Sequence, residues 1–333
     1  MTTALAPDTT PTTPQAPGRA GRIATFLPVV AIVAVGIVAF GALDRLEGDL
    51  GLVAALVVVW AVALAGLNII QGLAGYPSLA QAAFYGIGAY TSSILLEHGW
   101  SMWPAALAGV GGALLLGLLL AGVFSRTRGQ YFAIGTLFFG AVCHLVFTNA
   151  GDWTGGPNGM PVQLGVDFEQ IPALLAGSLV AVLLAFHALG RSSLGGALLS
   201  VREDEDLAGH LGVPTARAKL LGVLMSAAFG GWGGVLLAQY NGVIAPSQFT
   251  FVQGFLMFVA IGIGGYGRLF TPLVGALVVV GLTQLLKLEP GISQMVLGVL
   301  FILVTLAMPG GIIGTVERLL ARLVQPFRKG NAG

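Results

Sequence analysis

Few residues in this chain have the types and spacing that chemistry demands. Gly262-Ile-Gly264-Gly265-Tyr-Gly267 satisfies GxGxxG, the spacing that brings backbone against a dinucleotide pyrophosphate. That chemistry needs a strand before the glycines and an acidic residue about 20 positions beyond them. Here an apolar run precedes, Arg268 and Pro272 follow, and no Asp or Glu occurs before Glu289. The glycines therefore read as a tight turn between closely packed helices. A phosphate-cradling loop requires Gly-Lys followed by Ser or Thr, whereas Lys219, Lys287 and Lys329 follow Ala218, Leu286 and Arg328. The chain thus carries no Walker-type ATPase site. Cys143, the single cysteine, excludes an intramolecular disulfide and matches no metal spacing. His144 and His187 lie in apolar runs without a carboxylate and read as packing residues. No HExxH or paired intramembrane carboxylates point to an enzyme.

The elements that hold these residues are apolar throughout. The composition is 56% hydrophobic and 9% charged, with a mean hydropathy of +0.90, against roughly 25% charged in soluble domains. A membrane span takes about 20 apolar residues, and runs of that kind fall near 23–43, 50–71, 78–96, 104–124, 131–148, 172–190, 220–241, 249–265, 271–287 and 292–308. The predicted fold is all-α, a polytopic transmembrane bundle of about ten spans. Of the fifteen basic residues, all except Arg45 and Lys287 fall in the same alternate set of segments. Cytoplasmic loops are enriched in Lys and Arg, so both termini are predicted to be cytoplasmic. Residues 1–22, with Pro7, Pro11, Pro14 and Pro17, read as a disordered cytoplasmic tail. Residues 23–310 read as the transmembrane domain, 191–219 as a cytoplasmic loop within it, and 311–333 as a basic cytoplasmic tail. A net charge of +1 gives no reason to expect a nucleic-acid partner.

Leu50 to Leu96 contains no Asp, Glu, Lys or Arg and is long enough for two crossings. Gly72, Gly75 and Pro77 interrupt it, either as a tight cytoplasmic turn or as a discontinuous helix shielded by protein. Around this break Asn68, Ser78 and Gln81 supply neutral donors and acceptors, and Tyr85 lies on the following run. A transport pathway for a zwitterion is predicted here, with helix-to-helix hydrogen bonding as the bland alternative. In the 191–219 loop, Arg202-Glu203-Asp204-Glu205-Asp206 opens a predicted helix that Gly212 and Pro214 end. Ser226, Gly230, Gly234 and Ala238 form a small-residue stripe, fit either for packing within the chain or for a dimer seam.

Three segments carry a family resemblance. Gly66-Leu-Asn-Ile-Ile-Gln-Gly-Leu-Ala-Gly-Tyr-Pro-Ser-Leu-Ala-Gln-Ala-Ala-Phe-Tyr-Gly-Ile-Gly-Ala-Tyr90 is the most specific. The loop with Arg202-Glu-Asp-Glu, Leu211-Gly-Val213 and Arg217-Ala-Lys219 is the second, and Gly264-Gly-Tyr-Gly267 with Pro272-Leu-Val-Gly275 the third. Together, over roughly residues 50 to 310, they resemble the LivM-type permeases of branched-chain amino-acid ABC importers. Pro77, Gly196 and Pro309-Gly310-Gly311 depart from the family's common pattern. The resemblance implies a permease subunit of the bacterial inner membrane without cofactor or covalent chemistry. It would pair with a homologous permease, two ATP-binding subunits and an extracytoplasmic binding protein. Hydrophobic amino acids would be carried by alternating access, with the ATPase docked on Arg202 to Gly212. Urea or short amides are an alternative cargo within the family, and an ion-coupled secondary transporter is the rival from another class.

Overall fold

The computed structural model describes residues 19–46, 48–124, 127, 129–285, 290–308 and 310–328. Residues 1–18 of the predicted 1–22 tail lie outside them, as do Arg126, Arg128, Lys287, Glu289, Pro309 and Lys329. Residues 19–22, expected to be disordered, are instead helical and continuous with the apolar run that follows. The protein is helical nearly throughout: α1 (Arg19–Arg45), α2 (Gly48–Leu67), α3 (Gln81–Glu97), α4 (Met102–Phe124), α5 (Gln130–Asn149), α6 (Ile171–Gly190), α7 (Ser193–Glu203), α8 (Glu205–His210), α9 (Thr215–Asn241), α10 (Phe251–Gly264), α11 (Thr271–Leu285), α12 (Pro290–Ala307) and α13 (Gly311–Arg328). Two short strands, β1 (Met160–Pro161) and β2 (Val243–Ile244), pair antiparallel and join the α5–α6 connection to the end of α9.

Each predicted run coincides with a helix, yet among the described residues only seven segments are long and apolar enough to cross a membrane. They are Leu27–Arg45, Gly48–Leu73, Met102–Val123, Gln130–Asn149, Phe168–Gly190, Thr215–Asn241 and Met295–Leu319. The difference from ten lies in α3, α10 and α11, of 17, 14 and 15 residues. At 1.5 Å per residue helices of that length fall short of a roughly 30 Å core. Irregular backbone replaces the missing turns, which a bilayer tolerates only where protein shields it. For α3 that shielding comes from α9, which packs on α2 and α3 through Ser226 and Gly230, on α4 through Ala227 and Gly231, and meets Ile70 and Leu198 through Gly222.

One further expectation changes. The single helix predicted over 202–212 is two helices, because the Asp204 carboxylate accepts from the backbone N–H groups of Asp206 and Leu207 at 3.0 and 2.9 Å and starts α8 afresh. The predicted C-terminal tail is helical as α13 over 311–328. Its start is held by Arg268, whose guanidinium donates to the Gly310 carbonyl at 2.7 Å and to Glu317 at 2.8 Å.

Candidate functional site

The break between α2 and α3 is built from residues that refuse an ordinary helix. After Leu67 the chain widens into one π turn, Asn68–Leu73, with the Ala74 N–H reaching the Ile69 carbonyl at 3.1 Å. Such turns are rare and frequently mark functional sites. Gly75 then takes φ +75°, and a side chain there would press on Arg202 Cγ at 2.8 Å. Pro77 and Ser78 continue in non-helical backbone until α3 starts at Gln81. The polar residues of the break are buried, with Asn68 and Gln81 at 0% exposure and Ser78 at 3%, while Gly75 is exposed and Pro77 half-buried.

Among its polar groups Asn68 and Gln81 are tied to other elements, while the Gln71 side-chain amide is buried without a hydrogen-bond partner. Asn68 donates to the Arg268 carbonyl and accepts from the Gly267 N–H, both at 2.9 Å, which closes the break onto the Gly264–Gly267 turn. Gly72 allows this, since a Cβ there would overlap the side-chain oxygen of Asn68 and meet Gly267 N at 2.5 Å. Gln81 donates to the Ala63 carbonyl at 2.6 Å and accepts from the Ser226 hydroxyl at 2.9 Å, joining α3 to α2 and α9.

The loop residues meet the same break. Arg202 donates to the Gly72 carbonyl at 2.6 Å. Glu205 accepts from the Tyr76 hydroxyl and pairs with Lys219 at 2.9 Å, with side-chain exposures of only 14% and 9%. The Lys219 ammonium also sits 4.8 Å above the Tyr76 ring, a cation–π distance. Burial pushes the Tyr266 phenol up, opposed by the Gln71 side chain and the Arg202 charge. Thus the two groups of residues singled out separately in the sequence share one cluster. Glu203, Asp204 and Asp206 instead face outward with Leu207 and Leu211, and Gly212 at φ +86° ends α8. Tyr76, Lys219 and Arg268 were missed as site residues: the partners Glu205 of Tyr76 and Asn68 of Arg268 lie 129 and 200 positions away, and Lys219, 14 from Glu205, sat in the predicted loop with nothing to single it out.

A sequence model of the family described as the permease component of the branched-chain amino acid transport system matches residues 50–305. The chain belongs to that family. The permease is 31% identical over 294 residues to the high-affinity branched-chain amino acid transport system permease protein LivM of Escherichia coli K12, covering 78% of this chain and 69% of that protein. The LivM protein of Salmonella typhimurium matches equally. The LivH permease protein of the same Escherichia coli system is 36% identical over 129 residues, 38% of this chain and 41% of that one. No solved structure matches. The permease is therefore a LivM-type, multi-pass membrane protein.

Within the permease the small-residue stripe of α9 serves internal packing. A Cβ on Gly234 would overlap the Tyr85 carbonyl, and one on Gly230 would meet Gln81 Nε2 at 2.8 Å. The stripe therefore carries α3, and with it Tyr85, against α9. Tyr85 itself is 1% exposed and belongs to an aromatic cluster, edge-on to Phe249 at 5.7 Å, which also holds Tyr90 and Phe147.

Proposed function

We propose that the permease is the membrane-spanning subunit of an ATP-driven ABC importer of the bacterial cytoplasmic membrane, carrying branched-chain or other hydrophobic amino acids by alternating access. A homologous permease, two ATP-binding subunits and an extracytoplasmic binding protein complete it. ATP is hydrolysed on the partner subunits, not on this chain. The observation that carries this reading is the bonding of the loop to the break. Arg202 and Glu205 hold Gly72 and Tyr76 directly, so a push on α8 reaches the interrupted helix without a flexible intermediary.

In this reading Asn68, Gly72, Gly75, Pro77, Ser78, Gln81 and Tyr85 lie along the pathway, and the break forms its closed inner end. Arg202, Glu203, Asp204, Glu205, Asp206 and Gly212 form the coupling region, with Leu207 and Leu211 presented to the ATPase. The test is uptake by the complete importer in proteoliposomes with the partner ATPase inactivated. Leucine uptake should stop. Uptake that persists and follows an ion gradient would make the permease a secondary transporter, and uptake of urea in place of leucine would reassign the cargo.

A further inference from the structure

A cavity of about 330 Å³ opens at the end of the bundle opposite the break, among α2, α3, α9, α10 and α11. Its volume falls within the ~300–1,000 Å³ of small-molecule sites. Trp60, Leu237 and Val280 supply apolar surface, and Tyr85, Gln248 and Gln253 supply neutral polar groups. Among the described residues no Asp, Glu, Lys, Arg or His lines it. Two of its polar atoms, the Tyr85 hydroxyl and the Gln248 side-chain oxygen, are buried without a hydrogen-bond partner. An unmade hydrogen bond of this kind costs about 1–3 kcal/mol.

We propose that this cavity is a transient binding site for a net-neutral amino acid with an aliphatic side chain. The Gln248 oxygen accepts from a donor such as an ammonium, and the Tyr85 hydroxyl donates to an acceptor such as a carboxylate. The aliphatic portion lies against Trp60, Leu237 and Val280. Water would satisfy only the polar half of this surface, whereas such a ligand satisfies both. The uncharged lining excludes acidic and basic side chains, whose lone charge would be left unpaired on desolvation. With no formal charge to hold the ligand, binding stays weak enough for onward release. The role in transport rests on the importer reading above; the binding chemistry rests on the cavity.

The test uses the complete importer in proteoliposomes, with Gln253→Cys in a Cys143→Ala background. L-leucine should slow the reaction of this cysteine with a water-soluble thiol reagent several-fold, while L-glutamate and L-lysine leave it unchanged. Modification added after assembly should lower leucine uptake by about tenfold, ~1.4 kcal/mol, with no contribution from misfolding. Tyr85→Phe, which keeps the ring in the aromatic cluster, should weaken the leucine protection. Normal uptake by the fully modified protein, or equal protection by charged amino acids, overturns the site. If the unmodified importer takes up no amino acid while leucine still protects the cysteine, the importer reading fails and the site stands.

Discussion

The two ends of the α2–α3–α9 unit use similar side chains to opposite effect. At the break, Asn68, Gln81 and Ser226 direct their hydrogen bonds to backbone and side chains of other elements, and Arg202 and Glu205 add charge-assisted bonds. At the opposite end, Tyr85 and Gln248 line a cavity with unpartnered buried atoms. Only four residues separate Gln81 from Tyr85, one turn of α3. Whether a neutral polar residue in this bundle bonds within the fold depends on whether another element has brought it a partner; Gln71, at the break itself, has none. The break is sealed in this conformation and the cavity is open to be filled.

The largest disruption should come from the seam that carries both ends. Gly234→Leu would drive a side chain into the Tyr85 carbonyl, a backbone atom that cannot swing aside. Overpacking of a core costs typically 1–3 kcal/mol, and displacement of a whole helix should exceed it. We expect little monodisperse protein in detergent. Gly177→Leu, with open space around it, should stay within about 0.5 kcal/mol of the parent. A well-folded Gly234→Leu protein would mean that α3 and α9 are not held as described, and the comparison of their two ends would collapse.

Next in size is Glu205→Gln. It leaves the Lys219 ammonium buried with its charge unmatched, and breaking such a pair costs up to about 3–5 kcal/mol. Thermal unfolding should shift down markedly and uptake should fall. Replacing both residues with Glu205→Leu and Lys219→Met should recover stability, since apolar replacements of a buried pair are often neutral. Uptake should stay low because Tyr76 has lost its tie to α8. Recovery of uptake along with stability would reduce this cluster to packing.

How much of this was legible beforehand follows the range of each interaction. Helix positions could be read because apolar runs alternate with charged loops, and Gly75 and Gly212 fell where turns need positive φ. The family segments were legible for the same reason, as continuous strings. The separate helix α8 was not, because Asp204 could continue a helix or cap one, and only the fold decides. Nor was the reach of Arg202 to Gly72, 130 positions apart, or that of Tyr76 to Glu205, 129 apart. Three expected spans proved too short because length was counted from Ser78 rather than Gln81, from Phe249 rather than Phe251, and past Leu285, where helix is absent or not described.

An intermediate effect sharpens the contrast between the ends. Asn68→Leu orphans the Gly267 N–H and the Arg268 carbonyl, at about 1–3 kcal/mol for each group left buried. Single cysteines at Ser78 and Gln81 in the Cys143→Ala background should resist a water-soluble reagent in the resting importer, given their burial. Adding Asn68→Leu should make Ser78→Cys react, while a cysteine at Gln253 reacts in both backgrounds. Equal reactivity at both ends of the unmodified importer would remove the distinction between a sealed and an open end.

The smallest effect on stability should accompany a clear effect on partnership. Neutralising all four acids from 203 to 206 would mix three roles, because Asp204 caps α8 and Glu205 belongs to the buried pair. Glu203→Gln with Asp206→Asn removes charge only from the outward face. Surface changes of this kind usually stay within about 0.5 kcal/mol, so the melting profile should not move. On the same face Leu207 and Leu211 are 55% and 75% exposed, four residues apart, and offer an apolar ridge beside the two acids. If a basic groove of the ATP-binding subunit receives that ridge, losing the two charges should weaken its retention by the immobilised permease. Raising the salt concentration should weaken the parent complex more than the variant, because screening acts on the charges the variant has lost. Retention unchanged at low salt would assign the docking to the leucines alone, and retention unchanged also after Leu207→Ser with Leu211→Ser would place the ATPase elsewhere than on α8.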